Sequence, residues 1–305
     1  MDDYVKKYAA DKKITSKYSL SSMKSNLKRV EKIIDKDFNK WKVSDFKGDE
    51  KILDDLTDKF QLNTVIVSMN AIKIWLMMNK SPVKIIEEYG DIIKDLGKLK
   101  DDNVKEQKKT PAEEELGDDF DFDVMEKKIG KYVKENYETA KGSKLKQLLL
   151  VSLFGLQPPT RIGNYLKMEI RKGLGSKLSN DKNYLMKNKG EYKFIFNKYK
   201  TSKHIGKVEL PVSNELLKNV LDKYLKNIPA DQKELFDSTQ SQITNNLESI
   251  TKKIFDVPFS VNVFRHAFLT YFLNKNPSIK EKESMAKIVG QTYKTPRMEK
   301  YVRIE

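Results

Sequence analysis

One stretch breaks the rhythm of this chain. From Asn183 to Pro211 the period of apolar residues drops to two: Tyr192, Phe194 and Phe196 alternate with their neighbours, and Val208 and Leu210 alternate on a return segment. Asn188-Lys189-Gly190 marks a turn between Tyr184-Leu185-Met186 and the central run. Side chains two apart share a face only in a strand, so this window predicts a small antiparallel sheet. Elsewhere apolar residues recur at steps of three and four, the spacing of one helical face. A chain with one short period-two window inside helical spacing is mainly α with a small antiparallel β-sheet in its C-terminal part.

The helical spacing divides the chain. Residues 1–14 are rich in Lys and Asp and are expected to fray. A helix follows Ser19 through Met23, Leu27, Val30, Ile33 and Ile34, and a second spans Glu50 to Phe60. A third, Asn63 to Asn79, has apolar residues nearly all round and should be the buried helix of a bundle. Ser81-Pro82 starts a fourth. These make a small all-α domain over residues 1–98. Residues 99–123 read as an acidic linker, because Glu113 to Asp123 holds seven acids and no base. The second domain, 124–305, opens with helices through Val124–Tyr137 and Ser143–Leu156. Gln157-Pro158-Pro159-Thr160 stops the second of these, since two prolines cannot continue the hydrogen-bond ladder. Thr160 then caps a new helix and puts Arg161 in its first turn. Further helices start at Asn214 and Ser241.

Charge narrows the partner. The 305 residues carry 59 Lys and Arg against 44 Asp and Glu, a net charge of +15, which favours a polyanion such as nucleic acid. There is no cysteine, hence no disulfide, thiolate metal site or cysteine nucleophile, and two histidines are too few for a His-based metal site. Met1-Asp2-Asp3-Tyr4 is acidic and no apolar segment follows it. No apolar run reaches the ~20 residues of a membrane span. The expectation is a soluble, intracellular protein, in cytoplasm or nucleus wherever its nucleic acid resides.

Three positions stand out, although Arg265 taken alone reads as a helix-surface salt bridge. Arg161 sits at a helix start, where the dipole repels a cation unless an anion shares the place. Arg265 lies in an otherwise apolar helix whose buried face is taken by Phe264, Phe268 and Phe272, and Asn262 precedes it by three residues on the same face. Gly290 ends the next helix and Gln291 follows it.

In this order the residues resemble the catalytic domain of the tyrosine recombinases, the phage-type integrases. Arg161-Ile162-Gly163-Asn164-Tyr165-Leu166 is similar to the family's first arginine box, with Asn164 where an acid is usual. Lys198-Tyr199-Lys200-Thr201 before Val208-Glu209-Leu210-Pro211 resembles the lysine hairpin; Lys200 is the candidate, with Lys198 and Lys203 as rivals. Asn262-Val263-Phe264-Arg265-His266 stands for His-x-x-Arg-His, and Gln291 for the family's next His or Trp. Tyr301 is the implied nucleophile; Tyr293 lies too close to Gln291 for the family spacing.

The resemblance implies a two-domain DNA clamp and a catalytic set of Arg161, Lys200, Asn262, Arg265, Gln291 and Tyr301. It implies no metal or other cofactor. Tyr301 would form a 3′-phosphotyrosine, the two arginines would hold the non-bridging oxygens, and Lys200 would protonate the 5′ leaving oxygen. The amides at 262 and 291 can donate to phosphate but cannot shuttle protons. The implied partners are double-stranded DNA and other copies of the chain, as a dimer or tetramer on DNA, with no membrane. Four residues follow Tyr301, where many family members carry a tail that packs on a neighbouring subunit. Two other readings stand beside site-specific recombination or integration by a viral or mobile-element enzyme. One is relaxation of DNA by the same chemistry, as in type IB topoisomerases. The other is a non-catalytic DNA-binding protein on a decayed recombinase scaffold.

Overall fold

The computed structural model describes residues 1–11, 17–105, 108–173 and 178–290. The chain divides into two compact units, Met1–Glu106 and Gln107–Glu305.

The first unit is helical. Its buried helix is α4 (Leu62–Met78), whose Val65, Ser68, Met69, Ala71, Ile72, Trp75 and Leu76 are all enclosed, as apolar residues on nearly every side require. Against it pack α2 (Lys17–Ile33), α3 (Asp49–Lys59) and α5 (Val83–Lys105), and α1 (Asp2–Asp11) packs on α2. The N-terminus departs from expectation. It is helical rather than frayed, because Val5 and Ala9, four apart, bury one seam, and Asp2 and Asp3 suit the positive end of the helix. Two 3-10 turns, Phe38–Lys40 and Val43–Phe46, have no period to read in sequence. They are held by an aromatic chain: Phe38 to Trp41, Trp41 to Phe46 and Phe46 to Trp75 have ring centroids 4.8, 5.2 and 5.0 Å apart.

The acidic segment read as a linker is a correction. Residues 99–105 continue α5, and the second unit begins with α6 (Pro111–Leu116) and a 3-10 turn, Gly117–Phe120. Thr110 and Glu113 form a capping box with Pro111 at the first helical position. Glu113, Leu116 and Phe120 are buried, so the acids that face solvent share a folded segment with residues of the core.

The core of this unit is built on α8 (Gly142–Gly155), which is enclosed from Gln147 to Gly155. It packs between α7 (Phe122–Tyr137), α11 (Glu215–Asn227) and α12 (Gln240–Phe255). A side-chain carbon at Gly155 would collide with Ile129 Cδ1, so the bare glycine leaves room for the Ile129 side chain between α7 and α8. After α8 come a single turn, α9 (Ile162–Tyr165), and the sheet.

The sheet has four strands in order β1 (Glu169–Lys172), β2 (Tyr184–Asn188), β3 (Glu191–Phe196) and β4 (Val208–Pro211). It is mixed, not antiparallel as expected, because β1 pairs parallel with β2. Lys189 and Gly190, at φ +48° and +86°, make the two-residue turn that matches strand twist. Tyr192, Phe194 and Phe196 face the main core, while Ile195 joins Tyr184 and Met186 in a small cluster of their own. A short α10 (Ser202–Ile205) lies between β3 and β4, and α13 (Val261–Asn274) and α14 (Ile279–Ile288) end the described chain. Among the described residues, no helix is long and apolar enough to cross a membrane.

Candidate active site

The first candidate is set by the break after α8. Gln157, buried past the helix end, donates through Nε2 to Leu153 O at 3.3 Å and to Tyr165 Oη at 3.1 Å. This folds the proline segment back and leads the chain into α9. Arg161, not Thr160, is the N-cap residue, in an extended conformation. One turn of helix supplies little dipole. What orients Arg161 is instead a carbonyl: its Nη1 donates to Gly290 O at 2.8 Å. Among the described residues this bond, and not one to the Asn164 side chain, holds the guanidinium. Asn164 is buried.

Gly290 is where several elements meet. It follows the C-cap residue of α14, Val289, at φ +71°. Its carbonyl accepts a second bond, from Thr201 Oγ1 at 2.9 Å. Arg265 Nη2 donates to the preceding carbonyl, Val289 O, at 3.0 Å. Two guanidinium groups from distant parts of the chain thus hold consecutive carbonyls. The backbone angle favours glycine, and a Cβ at Gly290 would stand 3.2 Å from Arg161 Nη1, so the guanidinium would have to give by a few tenths of an ångström.

Beside this junction opens a cleft of about 400 Å³, lined by Arg161, Gly163, Asn164, Lys200 and Asn262 among others. Lys200 is exposed in the β3–β4 connection, and Asn262 is exposed in the first turn of α13. Arg265, only 2% exposed, lies within the core of the unit rather than on the open surface. Lys198 lines a neighbouring cleft with Lys167 and Lys182, and Lys203 sits exposed on α10. Tyr199, between the two lysines, donates its hydroxyl to Gly206 O at 2.7 Å. Burial pushes its phenol up to about 12, against the pull of the Arg161 charge. Gln291, Tyr301 and the rival Tyr293 lie outside the described residues.

Two contacts near the site use residues that stand in the quoted motifs but were not among the candidates. Thr201 shares the Gly290 carbonyl with Arg161. His266, next to Arg265, turns its ring to the Glu113 carboxylate, which also accepts from Thr110 N at 2.8 Å. The readable sign of the second was Thr110-Pro111-Ala112-Glu113, a capping-box spacing inside the acidic run.

The sequence matches no family model and no curated protein. Among solved structures, the crystal structure of XerA recombinase is similar at a TM-score of 0.38 and 13% identity, over 100% of this chain and 94% of that one. At that TM-score the likeness carries no weight for fold or mechanism.

Proposed function

We propose that this protein cleaves and rejoins DNA through a phosphotyrosine formed on Tyr301, as a recombinase or integrase-like enzyme. The supporting observation is the junction at Val289 and Gly290. Arg161 and Arg265 hold the main chain there, at the edge of a cleft that also presents Lys200 and Asn262. A cleft walled by arginine, lysine and amide suits a phosphodiester.

In the proposed step Tyr301 Oη bonds to the scissile phosphorus as the bond from phosphorus to the 5′ oxygen breaks. The phenolic proton passes to water, and the leaving 5′ oxygen takes a proton from the Lys200 ammonium. The products are a 3′-phosphotyrosine and a free 5′-hydroxyl. Arg161 and the field of Arg265 stabilise charge on the non-bridging oxygens, with Asn262 and Gln291 as amide donors. A 5′-hydroxyl attacking the phosphotyrosine reverses the step, returning protons to Lys200 and Tyr301, so rejoining needs no ATP.

A duplex nicked close to the cleavage point tests this, because the released fragment diffuses away and traps the adduct. Wild type is expected to give a denaturation-resistant protein–DNA adduct. Tyr301→Phe gives none while keeping its DNA affinity. The alternative is a DNA-binding protein without catalysis. It is favoured by the engagement of both arginines with main-chain carbonyls and by amides at 164, 262 and 291. No adduct from wild type on any duplex selects that alternative.

A further inference from the structure

Asn183 begins the approach to β2 and is 5% exposed. Its side chain makes four hydrogen bonds, every one to main chain. Nδ2 donates to Asn164 O and Lys198 O, each at 2.9 Å. Oδ1 accepts from Asn197 N at 2.9 Å and Lys198 N at 2.8 Å. A primary amide offers two donors and one two-lone-pair acceptor, so its capacity is filled.

The two segments it joins matter. Asn164 belongs to the turn that Arg161 caps. Lys198 lies two residues before Lys200, at the root of the loop whose Thr201 reaches Gly290 O. Asn164 lies in the single turn α9 and Lys198 just past the end of β3, where main-chain groups have few regular partners and are paired here through the Asn183 side chain. An apolar residue at 183 would leave them unpaired. Aspartate would keep the two acceptor bonds but face two carbonyl oxygens with a carboxylate. Serine or threonine has too few groups. The bracing continues outward, since Asn197 Nδ2 donates to Lys182 O at 2.9 Å.

We infer that Asn183 is a positioning residue: it locks the lysine loop to the arginine turn and so sets where Lys200 stands relative to the phosphate held beside Arg161. This rests on the phosphotyrosine reading for its chemistry. Asn183 touches no reacting atom. It acts on proton delivery to the leaving oxygen, which depends on where the connection between β3 and β4 holds Lys200; Thr201 fixes that connection on one side of Lys200 and Asn183 fixes its root at Lys198 on the other.

The test is single-turnover cleavage on two nicked duplexes, one natural and one with sulfur in place of the bridging 5′ oxygen at the scissile linkage. A thiol, with a pKa of about 8.5, departs without an acid. Lys200→Ala is the control: slow on oxygen, restored on sulfur. Asn183→Asp and Asn183→Ala are expected to slow the oxygen substrate by ~10- to 100-fold, the scale of a misplaced group. They leave DNA affinity nearly unchanged and recover close to wild-type rate on sulfur. Equal slowing on both substrates, or loss of DNA binding in step with cleavage, makes Asn183 merely structural and overturns the inference. A wild-type rate on oxygen overturns it too. Should Asn183→Ala fail to fold, the near-isosteric Asn183→Asp carries the test. Failure of the phosphotyrosine reading shows separately, as a wild type that forms no adduct on either duplex.

Discussion

Arg161 donates through Nη1 to the carbonyl oxygen of Gly290, 2.8 Å away in space and 129 residues away in sequence. The chain leaving α14 is therefore pinned at the guanidinium most exposed to the candidate cleft. A charged donor on a neutral carbonyl is stronger than an ordinary hydrogen bond. Thr201 doubles it on the same oxygen.

Gly290→Ala tests the junction. A non-glycine residue at φ +71° costs about 1–2 kcal/mol. The new methyl also presses on Arg161 Nη1. Urea unfolding should show a loss of that size, and adduct formation should fall by at least ~10-fold as the guanidinium shifts. A variant with wild-type stability and cleavage removes the junction from the mechanism.

Arg161→Lys separates charge from geometry. Lysine keeps the cation but lacks the planar fork. Cleavage is expected to drop ~100-fold or more, the effect of losing one transition-state donor. DNA affinity, set mostly by total charge, changes little. Single-turnover rates and a binding titration at fixed salt measure the two. Full activity in the lysine variant contradicts the proposed role.

Glu113 and His266 tie the acidic segment to α13, the helix of Asn262 and Arg265. Glu113 is fully buried. Glu113→Ala removes the carboxylate from the His266 ring, and breaking a buried pair costs about 3 kcal/mol. The expected result is a fall of that order in unfolding free energy by urea titration. A change within ~0.5 kcal/mol, the range of ordinary surface substitutions, means the segment is held by its other contacts, chiefly the packing of Leu116 and Phe120.

Glu169 on β1 provides a pH test. The hydrogen bond from Lys182, then its charge and that of Arg171, hold the carboxyl below its ordinary 4.5. The folded value is lower than the unfolded one. The stabilisation is therefore complete above the unfolded value and is lost as pH falls through the folded one. Glu169→Gln should lower the unfolding midpoint at neutral pH, and the gap from wild type should close as pH drops below 4.5. A gap that persists at low pH means that packing, not charge, is responsible.

Elements with a strong period were readable. The helices α4, α8 and α12 lie within a residue or two of where apolar spacing puts them. The strand β1 was not, because Glu169-Ile170-Arg171-Lys172 has a single apolar residue and no alternation. Its strand conformation comes from pairing with β2 on one side and from Lys233 on the other, whose carbonyl accepts from Ile170 N at 2.9 Å. Acidic composition masked α6, whose capping box was the better guide. The order of Arg161, Lys200, Asn262 and Arg265 as candidates was legible. The burial of Arg265 and the bracing by Asn183 were not.

By itself the sequence determined a mainly helical protein with a short sheet and an excess of positive charge, because apolar period and formal charge are properties of local residue order. The tertiary structure alone decided what the two arginines hold, which lysine lines the cleft beside Arg161, and which amide joins the two segments. The physical reason is that the deciding acceptors are the main-chain carbonyls of Val289, Gly290, Asn164 and Lys198. Every residue carries such a carbonyl, so none is marked in the sequence, and only folding selects the few that a buried donor can reach.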